Sequence, residues 1–284
     1  MSRVWALAAL AATATAWAAW MTVVGGDDVE RRSSAAEGVR VTSAREFWDA
    51  YRRAGERRSQ GQWQEAIQLY TRTLELRPDH EDSLYYLGNC HVERGERAQA
   101  IAAYQRLVEV NPDGSSRGYM QMGLLRASVG ADGRRELDGA ERLFRRALEV
   151  DSDSGALLGL AEVALLKRRW SEAARMLDEV NADNAMSVAA PYLLAYLSFR
   201  RGDRPAAWRL FQTAVARGEL KKAPVAWSEE GDVKADPALR WRALARQSVF
   251  GEQWIQVRRY LQSPGPSVVD MERELTAFGA LLDR

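Results

Sequence analysis

From Arg45 onward, apolar and polar residues follow the spacing of amphipathic α-helices. One example is the segment whose apolar side chains stand at Trp63, Ala66, Ile67 and Tyr70. Steps of three and four residues place these side chains on one face of a helix. No stretch after Arg45 shows the two-residue alternation of a half-buried β-strand. The pattern therefore predicts an all-α fold.

The residues just before these helices have a different composition. Residues 25–44 consist largely of Gly, Ser, Asp, Glu and Arg, with almost no large apolar side chain. Such a segment cannot bury enough apolar surface to offset the entropy lost on ordering. We therefore predict a flexible tether over residues 25–44.

The amino-terminal segment, residues 1–24, is apolar and contains an uncharged, Ala-rich stretch from Val4 to Val24. As a helix, this stretch is long enough to span the ~30 Å hydrocarbon core of a membrane. Arg3 on one flank, and Asp27 and Asp28 on the other, favour an amino terminus in the cytoplasm. The segment is therefore predicted to be a single-pass transmembrane anchor, with the rest of the chain on the non-cytoplasmic side.

Two other interpretations of the amino-terminal segment stay open. The sequence Ala14-Thr15-Ala16 suits a signal peptidase, in which case the segment is a cleaved signal and the remaining chain is exported. Because Ala and Thr contribute little to membrane insertion, a soluble Ala-rich helix is the third interpretation. No cysteine lies near the segment, which excludes a bacterial lipoprotein anchor.

The helical pattern recurs along the chain. Residues of one type stand 34 positions apart in the pairs Gly61/Gly95, Ala66/Ala100, Tyr70/Tyr104 and Pro78/Pro112. Later segments repeat the same succession of small and large apolar residues. They contain Ala140, Phe144 and Ala147, then Trp170, Ala173, Leu177 and Val180, then Gly202, Ala207, Phe211 and Ala214, and more faintly Leu244, Ala245, Trp254, Val257 and Leu261.

This spacing and these residue types resemble the tetratricopeptide repeat family. The resemblance implies a right-handed superhelical solenoid of about six helical hairpins over residues 45–284. The predicted repeats cover residues 47–80, 81–114, 116–153, 154–187 and 188–221, with a weak copy at 238–271. Between the last two repeats, residues 221–237 are predicted to form a loop. This segment contains three helix-breaking residues, Pro224, Gly231 and Pro237.

The repeated residue types have packing roles. Small residues are expected where two helices cross closely, because a larger side chain would overpack the crossing. These positions are Ala66, Ala100, Ala140, Ala173 and Ala207, with Gly88 and Gly123 on first helices. A capping helix is predicted over residues 267–283, starting at Ser267 with Asp270 three residues on. Its apolar face should contain Met271, Leu275, Phe278 and Leu282.

Charge is nearly balanced over the chain, with 40 Lys and Arg residues against 39 Asp and Glu residues. The resulting net charge of +1 gives the surface no field of one sign, so nucleic acid and acidic substrates are not indicated as partners. The single cysteine, Cys90, excludes an internal disulfide framework and a multi-cysteine metal site.

Three local patterns contain side chains that could carry chemistry, and each has a structural explanation. His80 lies in an acidic turn, where acids favour the start of the next helix. Cys90 and His91 are helical neighbours that point about 100° apart, so they do not form a nucleophile–base pair. The segment from Asp151 to Glu162 has the length of a calcium-binding loop but no glycine at the turn position. We predict no catalytic residue, no metal site and no cofactor.

The resemblance also implies where a partner would bind. In this family, the first helices of successive repeats line a shared inner wall, and aromatic side chains there give contact area at low entropic cost. Residues placed at or beside this wall are Trp48, Tyr51, Tyr85, Tyr86, Asn89, Arg117, Tyr192 and Tyr196. The alternative for each aromatic residue is that it packs one hairpin against the next.

Some family members clamp the two carboxylates of a chaperone tail with Lys, Asn and Arg. The matching positions here are Tyr51, Gly55, Tyr86, Arg117 and Gln121. Only Arg117 keeps the expected charge, so a chaperone tail is not indicated.

Together, these features predict a non-catalytic scaffold that binds a protein or peptide in its concave groove, anchored to or exported across the cytoplasmic membrane. The alternatives are a structural self-association module of an envelope assembly and an enzyme subunit.

Overall fold

The computed structural model describes residues 43–130, 132–152, 154–220, 248–251 and 265–283. Every regular element within these ranges is an α-helix. The all-α prediction is therefore confirmed for the part of the chain that the structure describes. The predicted anchor, almost all of the tether, the loop at 221–237 and most of the weak sixth repeat lie outside the described residues.

Eleven helices follow one another in the described ranges. They are α1 (residues 43–59), α2 (Trp63–Leu76), α3 (Glu81–Glu93), α4 (Arg97–Val110), α5 (Ser116–Ala127), α6 (Leu137–Val150), α7 (Ser154–Leu166), α8 (Trp170–Asp183), α9 (Ala189–Arg200), α10 (Arg204–Leu220) and α11 (Val268–Leu282). Helices α1 to α10 correspond in order to the two helices of each of the five strong predicted repeats.

The chain divides into two compact units between Cys90 and His91, inside α3. In the first unit, Ala54, Ala66, Tyr70 and Cys90 form a buried cluster. In the second unit, each helix from α4 to α10 packs against the next one, and α11 packs against α9 and α10. This consecutive packing is the arrangement that tandem helical hairpins predict.

Proline ends two of the second helices, as the sequence predicts. Helix α2 stops one residue before Arg77, and α4 stops one residue before Asn111. Both residues precede a proline, and both have φ of -140°, with ψ of 92° and 78° respectively. Proline excludes helical geometry at the preceding residue because its ring collides with that residue's backbone.

The small residues lie where the repeat pattern places them. Ala66, Ala100, Ala140, Ala173 and Ala207 are all fully buried. The structure also shows the close approach expected at Gly123, and a second one at Gly159 that the sequence pattern does not single out. A Cβ on Gly123 would stand 2.8 Å from the ring of Phe144, and one on Gly159 would stand 2.4 Å from it. The buried Phe144 ring therefore fits between α5 and α7 only because both positions lack a side chain.

The turn inside each hairpin needs a left-handed backbone. Gly61, Gly95 and Gly202 supply it with φ between 72° and 83°. The matching residue between α7 and α8 is Arg168, with φ of 60°. A side chain at positive φ is sterically disfavoured, so this turn is more strained than the others.

The final helix, α11, begins and packs as predicted. The Ser267 hydroxyl accepts a hydrogen bond from the Asp270 N–H at 3.2 Å, and the Ser267 N–H donates to the Asp270 carboxylate at 2.9 Å. This reciprocal pair is a capping box. The predicted apolar face, which contains Met271, Leu275, Phe278 and Leu282, is buried.

Within the described ranges, every helix is too short or too polar to cross a membrane. The predicted anchor over residues 1–24 lies outside the described residues, so it stays a prediction.

Candidate protein-interaction surfaces

The first unit carries four of the predicted groove residues in one aromatic patch, formed by Trp48, Tyr51, Tyr85 and Tyr86. Trp48 is 53% exposed, which is unusual for so large an apolar ring. The other three are half-buried. Helix α1 supplies the first two, and α3 supplies the tyrosine pair, whose ring centroids lie 5.4 Å apart.

Trp48 is held by its neighbours although its outer face is open. Its ring lies edge-on to Tyr51, with centroids 6.0 Å apart, and edge-on to the buried Phe47 at 4.9 Å. The Arg77 guanidinium lies 5.5 Å from the Trp48 ring and 4.2 Å from that of Phe47. Both distances are within the range of cation–π attraction. The exposed indole is therefore positioned before any partner arrives.

A buried ring connects the two halves of the patch. Tyr70 lies 6.1 Å from Tyr51 and 5.9 Å from Tyr86. Its hydroxyl accepts a hydrogen bond from Arg58 Nε at 3.3 Å, and the Arg58 guanidinium lies 4.3 Å from the Tyr86 ring. Burial raises the pKa of Tyr70 to about 12, and the Arg58 charge only partly opposes this. Tyr70 is therefore a neutral core ring that supports the exposed ones.

His80, beside this patch, has a structural role. Its Nδ1 accepts a hydrogen bond from the Ser83 N–H at 3.2 Å, and its carbonyl accepts from the Leu84 N–H at 3.1 Å. His80 therefore caps the start of α3. Burial lowers its pKa, against the opposing charge of Asp82. The prediction that His80 belongs to the turn before the next helix is confirmed.

The remaining predicted groove residues are Asn89, Arg117, Tyr192 and Tyr196. Asn89 is half-buried on α3 in the first unit, and Arg117 is half-buried near the start of α5 in the second unit. Tyr192 and Tyr196, both on α9, are only 1% and 7% exposed. The place of these two tyrosines in the groove stays a prediction, and in this structure neither ring is accessible to a partner.

The reason is that α11 covers them. The Phe278 ring of α11 lies edge-on to Tyr192 at 5.6 Å and to Tyr196 at 5.0 Å. Gly279, next along α11, also faces Tyr196, since a Cβ there would lie 3.3 Å from its ring. The two tyrosines therefore pack helix against helix, which was the alternative interpretation of each aromatic residue.

Glu162 on α7 has a buried carboxyl group. The sequence analysis does not place this residue at the inner wall formed by the first helices. It is fully buried, and it accepts hydrogen bonds from the Val249 N–H at 2.7 Å and from the Ser248 hydroxyl. Burial raises its pKa to about 8, because the charged form loses hydration that two hydrogen bonds only partly replace. At neutral pH this carboxyl group is mainly protonated.

Comparisons with known proteins agree with this helical architecture. Family models described as tetratricopeptide repeat match residues 57–123 and 129–185. These two ranges of the chain therefore consist of tetratricopeptide repeats. No curated protein sequence matches it.

Several solved structures share the fold. PilW, described as a widely conserved type IV pilus biogenesis factor, superposes with a TM-score of 0.53 at 14% identity, over 82% of this chain and 97% of PilW. MamA from Desulfovibrio magneticus RS-1 gives 0.51 at 11% identity, over 63% and 98%. A thermophilic repeat protein from Thermus thermophilus gives 0.50 at 18% identity, over 69% and 97%. At these identities the likeness shows the fold of this tetratricopeptide repeat protein.

The patterns set aside as chemical sites take structural positions within the repeats. Cys90 is fully buried, and the His91 ring nitrogen Nδ1 lies 2.7 Å from a Glu96 carboxylate oxygen. Residues 154–162, the second part of the calcium-loop-like segment, are helical in α7. Among the described residues, no group of three or more His, Cys, Asp or Glu side chains is arranged to hold a metal ion.

One further surface feature of the repeats escapes sequence reasoning. A shallow cleft of about 310 Å³ lies between α5 and α6 and is lined by Tyr119, Arg126, Arg142 and Arg146, among others. Two of its arginines are paired with acids, since Arg126 bonds Glu136 and Arg146 bonds Glu149 and Asp113. The cleft therefore presents little net positive charge.

Proposed function

We propose that this repeat protein is a non-catalytic scaffold that captures a protein or peptide through the aromatic patch of its first unit. The observation that carries the proposal is the exposed but positioned ring of Trp48. Large rings held in place before binding contribute contact area without a further loss of side-chain entropy. A folded chain gains little from exposing an indole to water, so this exposure favours a binding role.

The partner class follows from the composition of the patch. Aromatic and arginine side chains are the residues most often found as binding anchors in protein interfaces. Arg58 and Arg77 stack on patch rings and leave their remaining donors for backbone carbonyls or acids of a bound segment. An extended peptide or a helix edge fits this mixture of apolar rings and donors.

We expect that replacing both Trp48 and Tyr51 with Ala abolishes partner capture, because truncated anchors each cost more than about 2 kcal/mol of binding free energy. The measurement is affinity capture from solubilised membranes with the full chain as bait, followed by titration of the captured partner. Circular dichroism should show the same helix content in the variant and the wild type.

The matched control removes exposed apolar surface elsewhere. Val129 is 54% exposed in the second unit, so Val129→Ala should leave capture intact. Neutralising the exposed charges of Glu65 and Arg106 on second helices should also leave it intact. A larger loss from these charge changes than from the aromatic ones would place the interaction surface on the second helices instead.

We also propose that residues 1–24 anchor the chain to a membrane, with the repeats on the non-cytoplasmic side. The support is the uncharged stretch from Val4 to Val24 and the charges that flank it. The full chain should stay with membranes through an alkaline carbonate wash, whereas a chain beginning at Glu37 should be released. A mature amino terminus near Trp17 or Ala19 would show a cleaved signal, and release by salt alone would contradict both interpretations.

A further inference from the structure

The carboxyl-terminal residues lie on a face of the second unit that repeat proteins use for binding. This face, here called the α7–α9 face, is formed by Glu162, Tyr192 and Tyr196, which all lie on first helices of their repeats. Residues 248–251 and α11 cover it. The Phe278 ring contacts both tyrosines, and the Phe250 ring lies edge-on to Phe278 at 5.1 Å.

Besides the apolar ring contacts, hydrogen bonds to Glu162 join the α7–α9 face to the residues that cover it. A buried carboxyl group is costly unless donors reach it, and here the donors are the Val249 N–H and the Ser248 hydroxyl. These donors lie 87 and 86 positions further along the chain, respectively. Without the covering segment, Glu162 would face the open α7–α9 face, where a bound segment could supply equivalent donors.

Both ends of α11 are fastened by charges on the repeats. Near its start, Arg204 Nε lies 2.7 Å from a Glu272 carboxylate oxygen, and at its end Arg168 Nη2 lies 2.8 Å from an Asp283 oxygen. Arg168 is the residue with positive φ at a turn position where Gly61, Gly95 and Gly202 stand in other repeats. At this turn an arginine takes the place of glycine, and the arginine side chain contacts α11. The backbone strain at Arg168 therefore occurs at the turn residue that holds the end of α11.

We propose that α11 is an intramolecular occupant of the α7–α9 face, and that this face binds, when α11 is displaced, a partner helix of the same chemistry. That chemistry is an amphipathic helix with apolar residues at the spacing of Met271, Leu275, Phe278 and Leu282 and acids at both ends. The acids are required by charge complementarity with Arg204 and Arg168. The inference rests on the proposed function, since it treats first-helix side chains as binding surface.

Because α11 and the α7–α9 face belong to one chain, α11 on this face regulates the binding of a partner helix. A tethered helix competes with a free partner at a high effective concentration. The partner's apparent dissociation constant is then its intrinsic value divided by the fraction of molecules in which α11 is displaced. The two ion pairs at the ends of α11 are exposed and therefore weak, so the binding of α11 to the α7–α9 face depends chiefly on its apolar contacts. Weakening those contacts should open the face to a competing helix.

The test uses the full chain and a fluorescein-labelled synthetic peptide with the sequence of residues 265–284. We expect the peptide to bind the Leu275→Ala/Phe278→Ala variant about tenfold or more tightly than the wild type, by fluorescence anisotropy. Val269→Ala is the matched control, because it shortens an apolar side chain that is 63% exposed on the same helix. It should bind the peptide as the wild type does.

A second variant separates displacement from misfolding. Asp283→Ala removes the contact with Arg168 from the tethered helix alone, while the peptide keeps its own aspartate, and because the Asp283 side chain is exposed no cavity is created. We expect a roughly two- to fivefold faster hydrogen exchange of α11 amides, with no fall in Tm and with tighter peptide binding. Adding Tyr196→Ala to the Leu275→Ala/Phe278→Ala variant should abolish peptide binding.

Equal peptide affinity in wild type and variants, or faster exchange of α11 without a gain in binding, would overturn the proposal. A dimer of the wild type in sedimentation, with α11 exchanged between copies, would also overturn it. The aromatic patch belongs to the first unit and the α7–α9 face to the second, so Trp48→Ala/Tyr51→Ala should not alter peptide binding. Failure of that double variant to affect partner capture would then count against the proposed function alone.

Discussion

Replacing Ala100 with Arg is expected to lower the free energy of unfolding of the second unit by about 4 kcal/mol or more. Ala100 lies on α4 and is fully buried. The larger side chain overpacks a close helix crossing, which costs about 1–3 kcal/mol. Its guanidinium would also start from a fully buried position, and a buried charge that finds no partner costs several kcal/mol more. Urea denaturation followed by circular dichroism measures the change.

The matched control is the same substitution two positions earlier. Ala98 lies on α4 but is exposed, so Ala98→Arg should change stability by less than about 0.5 kcal/mol. Arg97 is a poorer control, although the pattern places it on the exposed side. It is half-buried, and its Nη1 donates to the Ser128 hydroxyl at 2.7 Å. Similar midpoints for the two arginine variants would contradict the repeat register.

The second unit is also expected to lose stability as pH rises from about 4.5 to about 8, because of Glu162. The pKa of this carboxyl group is raised from 4.5 to about 8 in the folded chain, chiefly by burial. Between these values the folded state binds the proton and the unfolded state does not. The free energy of unfolding therefore falls by up to about 1.4 kcal/mol per pH unit, and the loss is complete once the pH exceeds the folded pKa.

The Glu162→Gln variant isolates this contribution. The amide has the same shape and can still accept from the Val249 N–H, but it carries no titrating proton. Other groups titrate equally in both proteins, so their contributions cancel in the difference. The difference in free energy of unfolding between variant and wild type should grow from pH 5 to pH 8. A difference that stays constant with pH would mean that Glu162 is ionised in the folded chain.

Local sequence determined the helices and their crossings. Helix ends at Arg77 and Asn111 follow from the prolines that succeed them, and the start of α11 follows from Ser267 and Asp270. The buried alanines follow from a repeated succession of small and large apolar residues, which shows which face each helix turns inward. These features depend on residues close together in the chain or on a repeated interval, so one sequence is enough to predict them.

Sequence reasoning could place the candidate binding residues on helices but could not decide their exposure. Trp48 and Tyr192 are both aromatic residues on first helices, yet Trp48 is 53% exposed and Tyr192 is 1% exposed. The difference comes from α11, whose Phe278 covers the second of them. Nothing in the local pattern around Tyr192 records a ring from a helix so much later in the chain.

The ionisable residues show the same division. The sequence shows that Arg168 stands where other repeats have glycine, but its contact with Asp283 joins residues 115 positions apart. From the sequence, Glu162 is an ordinary acidic residue of a helix. Only the tertiary structure shows its hydrogen bonds with Ser248 and Val249. Periodicity reports which face of a helix is apolar, because that depends only on neighbours within two turns. Which distant segment covers that face depends on chain connectivity and packing, and therefore only the tertiary structure decided it.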